Sequence, residues 1–238
     1  MDKNNLNQIG LSRHLTPQQW RTLVDCCESI VPVPNKTTLS ERGTKLSKSL
    51  FLVEGFMGRF ITYDVTDRKQ LVAVEVPGDF VDFHAYPLKR LDHDVVSLSD
   101  AKVAVFDHVV LQEIFDQDVE LCRTVWFMTL IDASIQRHWT YRNAAMRALP
   151  AIANLLCEFR QRLMHAGMDT DSSFELPIQQ STLALACGLS VEHVSRVMRD
   201  LREGGYCSMS NTVVQIHDLR RLEEIAQFRT DYLCPSHD

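Results

Sequence analysis

Three polar side chains, Glu192, Ser195 and Arg196, recur at a spacing that places them on one side of a helix. An arginine guanidinium can donate two hydrogen bonds to O6 and N7 of guanine, a glutamate carboxylate can accept one from N4 of cytosine, and a serine hydroxyl can contact either kind of base edge. This arrangement predicts a surface that reads bases in the major groove of double-stranded DNA.

The residues around them predict a helix-turn-helix over residues 179–204. Ala184 is small where two helices would cross, Gly188 supplies the left-handed turn conformation, and Ser190 is a good cap for the second helix. The buried face of that helix is formed by Val194, Val197, Met198 and Leu201. An ordinary helical hairpin is the alternative, but here the small residue, the glycine, the cap and the apolar face all fall in register.

Polar side chains at the start of both helices, together with one further arginine, are expected to contact DNA phosphates. They are Gln179, Gln180, Ser181, Ser190, His193 and Arg199. Acidic and basic side chains balance one another on the second helix, so we expect modest nonspecific affinity and a dependence on base contacts.

The N-terminal half has a different pattern. From about residue 28 to residue 106, short apolar runs alternate with turn residues, which is typical of an all-β barrel or sandwich. A short helix is predicted before it, over residues 16–27, because Thr16 can cap that helix and Pro17 fits its first turn. The predicted strands contain residues 30–31, 50–53, 60–63, 71–74, 95–96 and 103–106.

Residues 108–147 predict helices, one of them long. Val125, Met128, Ile135 and Trp139 lie on one side of the long helix, and their repeat is compatible with a coiled-coil-like seam. These four residues are therefore the predicted contact between two copies of the chain in a homodimer. A helix packed on its own β domain would give the same pattern, and periodicity alone leaves both interpretations open.

A hinge is predicted at residues 147–150, because Pro150 fits the first turn of a new helix over about 149–166. Beyond the helix-turn-helix, residues 206–209 and 213–216 can pair as two strands around a turn. This pairing predicts a wing beside the DNA-reading helix.

In its order of elements the chain resembles the Crp/Fnr family over nearly its whole length. Similar segments are Pro77-Gly78-Asp79-Phe80, Val103-Ala104-Val105-Phe106, Leu155-Leu156-Cys157-Glu158-Phe159 and Phe174-Glu175-Leu176-Pro177. The resemblance implies an α+β fold: an N-terminal β-roll of the cyclic-nucleotide-binding type, a long dimerisation helix and a C-terminal winged helix-turn-helix. The domains are then a sensor (1–115), the dimerisation helix and hinge (116–148) and a DNA-binding domain (149–238).

The pattern Val191-Glu192-x-x-Ser195-Arg196 is similar to the recognition helix of Fnr-type members. The resemblance implies that Glu192, Ser195 and Arg196 read half-sites resembling TTGAT in an inverted repeat, with the half-sites about one helical turn apart. It also implies RNA polymerase as a partner.

A cyclic nucleotide is not expected in the sensor domain. Family members that bind one hold it with a Gly-Glu pair and then an Arg-Ser or Arg-Thr pair, whose arginine neutralises the phosphate. Asp82-Phe83 stands at the first pair here and Leu91-Asp92 near the second, so an aspartate would repel the phosphate. Lys89-Arg90 lies close by and would have to shift into register to replace it.

An iron–sulfur cluster and haem are not expected either. The cluster needs four ligands, whereas only Cys26, Cys27 and Cys122 are candidates. His84 and His93 lie in the same domain, but their spacing matches no recognised haem-ligand pattern. The effector is left open.

Composition fits a globular cytoplasmic protein with no membrane span: 45% of the 238 residues are hydrophobic, no apolar run reaches the length of a span, and the N-terminus lacks the apolar run of a secretory signal. The net charge of −6 means that DNA binding must depend on where the charges lie. No P-loop, nucleophile elbow, zinc-protease or dinucleotide motif is present, so the sequence does not predict an enzyme. The alternative is an interaction protein with a degenerate cyclic-nucleotide-binding fold that does not bind DNA.

Overall fold

The chain divides into two compact units in the structure, a computed structural model that describes residues 15–63 and 68–233. The first unit comprises Met1–Asp132 with His165–Gly167, and the second comprises Ala133–Met164 with Met168–Asp238. Residues 1–14, the start of the predicted sensor domain, lie outside the described residues. No helix within the described ranges is long and apolar enough to cross a membrane.

The first unit is a β-roll with short flanking helices, as predicted. Its strands form two antiparallel sheets, in the orders β1-β7-β3 and β2-β6-β4-β5. The elements are α1 (Pro17–Cys26), β1 (Ser29–Val33), β2 (Thr38–Ser40), β3 (Lys48–Glu54), β4 (Met57–Tyr63), β5 (Arg68–Glu75), α2 (Ala85–Leu88), β6 (Asp94–Ser97), β7 (Ala101–Asp107) and α3 (His108–Gln117). The sequence pattern did not predict β2, because this strand has three residues and two of them carry hydroxyls.

Local chemistry explains why α1 begins where it does. The Thr16 hydroxyl accepts from the Gln19 backbone N–H at 3.2 Å, and the Gln19 side chain accepts from the Thr16 N–H at 2.9 Å. This reciprocal capping satisfies two backbone donors that have no partner within the helix. Trp20 and Leu23 of α1 are thereby turned into the core of the β-roll, where Trp20 meets the ring of Phe51 edge-on at 6.2 Å.

Two long helices follow the β-roll. Helix α4 spans Val119–Ala145 and helix α5 spans Ala148–His165, with a break at residues 146–147. The break adjoins the predicted hinge, and Pro150 lies in the first turn of α5 as expected. However, the two compact units divide within α4, between Asp132 and Ala133. The structure thus differs from the three-part division, in which residues 116–148 form a segment of their own.

The second unit contains the predicted winged helix-turn-helix. Three antiparallel strands lie in the order β8-β10-β9 beside the helices. The elements after α5 are β8 (Ser173–Glu175), α6 (Gln180–Cys187), α7 (Val191–Glu203), β9 (Cys207–Ser210), β10 (Val213–Ile216) and α8 (Leu219–Ala226).

The predicted dimer seam is corrected by the burial of its residues within one chain. Val125 is only 1% exposed and belongs to the core of the β-roll, against which Met128 packs. Ile135 and Trp139 are buried too, and the Trp139 indole donates to Glu158 of α5 at 2.8 Å. The periodicity therefore marks the face that α4 turns toward its own protomer, which is the alternative that the sequence left open.

Candidate nucleic-acid interface

The turn between α6 and α7 depends on one glycine. Gly188 has a φ of +63°, in the left-handed region that residues with a Cβ resist, and its N–H closes α6 on the carbonyls of Ala184 and Leu185. The next N–H, that of Leu189, also donates to the Ala184 carbonyl, at 2.9 Å. The chain can therefore end α6 and begin α7 within three residues, as the sequence predicted.

Helix α7 starts at a serine cap. The Ser190 hydroxyl accepts from the His193 backbone N–H at 3.2 Å, which satisfies one of the free donors at the helix start. Val194 and Leu201 have no exposed surface, and Val197 and Met198 are buried beside them. With this face fixed against α6 and the wing, the opposite edge of α7 must point to solvent.

The three predicted base-reading residues lie together on that exposed edge. Glu192, Ser195 and Arg196 are all exposed, and Val191 presents an apolar surface at the same end of the helix. The pKa of the Glu192 carboxyl is lowered, first by its own backbone N–H and then by Ser190, with a contribution from Arg196. A carboxylate held in its ionised form can only accept hydrogen bonds, which suits a cytosine amino group.

An open recess adjoins this edge. It is bounded by α7, by the start of α6 and by the first wing strand β9. The lining contains three arginines, two serines, one glutamine and two methionines: Arg196, Arg199, Arg202, Ser195, Ser208, Gln180, Met198 and Met209. The absence of a carboxylate from this lining makes the recess locally cationic, although the whole chain has a net charge of −6.

The predicted phosphate-contacting residues lie around the same surface. Gln179, Gln180 and Ser181 are exposed at the start of α6, and Arg199 is exposed on α7. Ser190 serves as the helix cap, and His193 is partly buried.

The structure adds two polar residues, Arg202 and Ser208, to the predicted interface. Arg202 lies two turns beyond Ser195 along α7, past the turns that ordinarily reach bases. Ser208 belongs to the predicted wing, and its hydroxyl lies 2.9 Å from Nε2 of His217. The wing prediction located the strand but did not single out a side chain on it.

In the first unit, buried charges lie near Asp82, at the first of the two expected ligand pairs. Arg59 is buried, with Nε 2.9 Å from Glu75 and Nη1 2.7 Å from Asp132. Burial alone would lower the pKa of Arg59, but these two carboxylates outweigh it and raise that pKa. The positive charge of the guanidinium is therefore already balanced by two carboxylates of the protein, which leaves it poorly suited to hold a phosphate.

The cationic side chains near the second expected ligand pair also make contacts within the protein. The guanidinium of Arg90 donates to the Gly43 carbonyl, and Lys89 lies over the Tyr86 ring at 5.0 Å. Asp82, at the first pair, is buried, and burial raises its pKa to about 7. These residues do not fit a cyclic phosphate.

The histidines and cysteines considered as ligands of haem or an iron–sulfur cluster do not come together as a ligand set. His84 and His93 face one another with ring centroids 5.4 Å apart, and Nδ1 of His93 bonds to Asp92 at 2.7 Å. Burial, with a smaller effect of Arg59, lowers the pKa of His84 to about 4. Within the described part of the chain, no group of three or more histidine, cysteine, aspartate or glutamate side chains could hold a metal ion.

Comparison with known proteins gives matches to both units. Residues 151–225 match the model of the Crp-like helix-turn-helix domain. A probable transcriptional activator of Rhizobium leguminosarum bv. viciae is 27% identical over 161 residues, which are 66% of this chain and 65% of that protein. An anaerobic regulatory protein of Pasteurella multocida is 20% identical over 221 residues, or 93% of this chain and 80% of that one.

Solved structures agree in fold. FixK2 from Bradyrhizobium japonicum superposes with a TM-score of 0.74 over 83% of this chain and 96% of that chain, at 18% sequence identity. A regulatory protein from Silicibacter pomeroyi DSS-3, to which cAMP binding is ascribed, gives a TM-score of 0.66 over 94% of this chain and 98% of that chain, at 17% identity. With a β-roll, long helices and a matching Crp-like helix-turn-helix domain in one chain, this protein is similar to Crp/Fnr-type regulators in its C-terminal domain and, at low identity, over most of its length.

Proposed function

We propose that the chain is a transcriptional regulator that binds, as a homodimer, an inverted repeat of TTGAT-like half-sites in double-stranded DNA. The observation that carries this proposal is the exposed edge of α7, on which Glu192, Ser195 and Arg196 stand together beside a cationic recess. Each of the three would have a base-edge partner in the major groove, and the recess would offer donors to the adjacent phosphates.

The chemistry divides between specificity and affinity. Arg196 would bind guanine through two hydrogen bonds, and Glu192 would accept from cytosine N4 on the other strand of the same half-site. Gln180, Arg199 and Arg202 would fix the position of α7 by contacts with phosphates, which carry no sequence information.

A homodimer would form through the face of α4 that the protomer leaves exposed. Val119, Trp126 and Leu130 are exposed apolar residues on this helix, and they are spaced by seven and then four positions. This is the spacing of a two-helix seam, and a second copy of the same face is self-complementary about a two-fold axis. Two-fold symmetry of the protein would then match an inverted repeat in the DNA.

In this proposal the protein acts in the cytoplasm, and RNA polymerase is the partner through which it changes transcription. The first of the relatives above is named a transcriptional activator and the second a regulatory protein, and these names support a regulatory role for this chain. The charged side chains described in the β-roll are already paired within the protein, so the proposal names no effector.

The proposal is tested by fluorescence anisotropy with a TTGAT inverted repeat and a scrambled duplex, at several salt concentrations. We expect sequence-selective binding that weakens with salt. Arg196→Ala should lose about 1–3 kcal/mol on the inverted repeat and relax the preference for guanine. Arg220→Ala is a matched control, because this exposed arginine lies on α8 and pairs with Glu224.

Two outcomes would count against the proposal. If Arg196→Ala loses the same affinity on both duplexes, Arg196 does not read a base. If the wild-type chain binds neither duplex in low salt, the protein is not a DNA-binding regulator, and an interaction protein with the same fold becomes the better description.

A further inference from the structure

A fully buried ion pair spans the break between the two long helices. Arg142 lies in the last turn of α4 and Glu158 in the middle of α5, both with 0% exposure of their side chains, and Nη1 of Arg142 is 2.9 Å from Oε2 of Glu158. The break at residues 146–147 lies between them along the chain. Because Arg142 has no exposed surface, it cannot touch DNA itself.

Glu158 is the acceptor at the centre of a larger network. Its carboxylate accepts from Trp139 Nε1 at 2.8 Å and from the Tyr232 hydroxyl at 3.1 Å, in addition to Arg142. Arg162, one turn along α5, approaches at 3.4 Å. Burial alone would raise the pKa of Glu158, but the two arginines outweigh it and lower that pKa, so the carboxylate is held ionised.

Two asparagines connect the same region to the helices of the DNA-binding part. Asn143, next to Arg142, donates to the Ala186 carbonyl in the last turn of α6 at 3.0 Å. Asn154, which accepts from Arg142 at 3.4 Å, donates to the carbonyl of Ala226 at the end of α8 at 3.1 Å. Both carbonyls lie at the C-terminal ends of helices, where a carbonyl oxygen has no N–H donor within its own helix.

The chain after α8 returns to α4 as well. The Tyr232 ring stacks on His138 with ring centroids 3.6 Å apart and planes inclined by 9°. Its hydroxyl reaches Glu158 from the same position. Hydrogen bonds or ring contacts thus join the end of α4 to α5, to α6 and to the segment that follows α8.

Stability alone is a poor explanation for this ion pair. Removing two charges from water costs several kcal/mol for each ion, and replacement of a buried pair by apolar residues of similar volume is often neutral or stabilising. Moreover, Nε and Nη2 of Arg142 lack a hydrogen-bond partner among the described residues, which adds to the cost. A directional bond across a helix break does fix one geometry, which apolar packing would leave looser.

We propose that Arg142 and Glu158 are positioning residues that set the angle between α4 and the helix-turn-helix, and thereby the spacing of the two recognition helices in a dimer. This inference rests on the proposed function, because spacing matters only where two copies bind one inverted repeat. It assigns a role in DNA recognition to a pair that lies away from the DNA surface.

The test uses the full chain with Arg142→Met and Glu158→Leu combined, so that neither member of the pair is left buried without the other. We expect some loss of thermal stability, because Trp139 and Tyr232 also lose their acceptor, but unchanged affinity for a duplex with one half-site. Affinity for the inverted repeat of preferred spacing should fall by at least about tenfold, because the second half-site no longer gains from being linked to the first. The preference among repeats whose spacing differs by one or two base pairs should broaden.

Arg160→Met is the matched control. It removes a buried guanidinium from α5, the helix that carries Glu158, but Arg160 donates to the Thr170 carbonyl and not across the helix break. This variant should lower stability without changing the spacing preference. Glu158→Gln, which keeps an acceptor for Trp139 and Tyr232, should retain more of that preference than the double variant.

Two outcomes would overturn the inference. One is wild-type affinity and spacing preference in the double variant. The other is an equal loss on the single half-site and the inverted repeat, which indicates a general structural defect. Small-angle X-ray scattering of the dimer without DNA adds a readout that does not need DNA binding. A double variant whose distance distribution is no broader than that of the wild type would also refute the role, even if the wild type bound no DNA and the proposed function had failed by itself.

Discussion

Val125 and Trp126 are neighbours in α4 and point in different directions: Val125 is 1% exposed in the β-roll core, whereas Trp126 is 64% exposed. One residue along a helix is a rotation of about 100°, so a one-residue difference decides which side chain packs into its own protomer and which is left exposed. Large exposed apolar side chains on a helix are characteristic of a surface that a partner covers.

Replacing Trp126 and Leu130 together by glutamate should therefore give a monomer with an intact fold. The four introduced charges of a dimer would face one another across the seam, while neither position contributes a fully buried side chain. Light scattering measures the mass, and thermal unfolding should change little.

Val125→Glu is the informative comparison for the dimer. It would place a charge inside the β-roll and cost several kcal/mol of unfolding free energy, so the first unit should lose its cooperative transition. A dimeric mass for the Trp126 and Leu130 variant would locate the contact elsewhere on the chain.

The dimer seam also shows where sequence periodicity stops being informative. A repeat of 3.5 to 3.6 residues marks the apolar face of α4, but it does not say what covers that face, because a β-roll and a second helix both bury apolar side chains. The exposed face carries Trp126 and Leu130 among charged and polar residues, so its pattern is weak. Only the burial of Val125 in the same core cluster as Phe51 and Phe115 decides between the two.

The helix-turn-helix was predictable for the opposite reason. Gly188, Ser190 and the apolar face of α7 act through local backbone geometry and hydrogen bonding, which depend on neighbours in sequence. The Arg142–Glu158 pair could not be foreseen in this way, since its partners are 16 residues apart and join only when α5 folds back on α4.

Gly188→Ala should cost about 1 kcal/mol of unfolding free energy through backbone strain. A Cβ at this position would meet nothing within 4 Å, so the cost comes from the φ of +63° and not from a clash. Gly188→Asn should cost less, because asparagine tolerates the left-handed region better. Urea unfolding measures both costs, provided that the dependence of the unfolding free energy on urea concentration is the same in each variant. Equal costs for the two variants would mean that the turn had rearranged.

Gly55 supplies a contrast to Gly188. Its φ of +86° is also positive, but a Cβ there would lie 2.4 Å from the Asp100 carbonyl oxygen and 2.8 Å from Ala101. Gly55→Ala should therefore destabilise the protein by more than Gly188→Ala, since backbone must move as well. Gly55→Asn should give no relief, because the obstacle is backbone and not conformational preference.

Arg202→Gln should lower DNA affinity to a similar degree on the TTGAT repeat and on a scrambled duplex. Arg202 lines the cationic recess but lies beyond the base-reading turns of α7, so we expect it to bind a phosphate. The slope of log affinity against log salt concentration should become shallower by about one for each phosphate that the variant no longer neutralises. A decrease confined to the TTGAT repeat would instead make Arg202 a base reader.

The free energy of unfolding should depend on pH through Asp82. This carboxyl is buried, its Oδ1 accepts from the Leu50 N–H at 2.7 Å, and burial raises its pKa from 3.8 to about 7. Between these two values the folded chain holds a proton that the unfolded chain has lost. Its stabilising effect is therefore complete below about pH 4 and is lost as the pH rises toward 7, at up to about 1.4 kcal/mol per pH unit.

Asp82→Asn should remove this dependence, because an amide keeps the acceptor for Leu50 and does not ionise. Urea unfolding at intervals from pH 4 to pH 8 should then give a flatter curve for the variant, with the largest gain in stability over the wild type at pH 8. Asp100→Asn, which changes an exposed carboxylate in the same unit, should keep the slope of the wild type. If the curves of Asp82→Asn and the wild type run parallel across this range, Asp82 is ionised in the folded protein and the neighbouring Arg59 has compensated its burial after all.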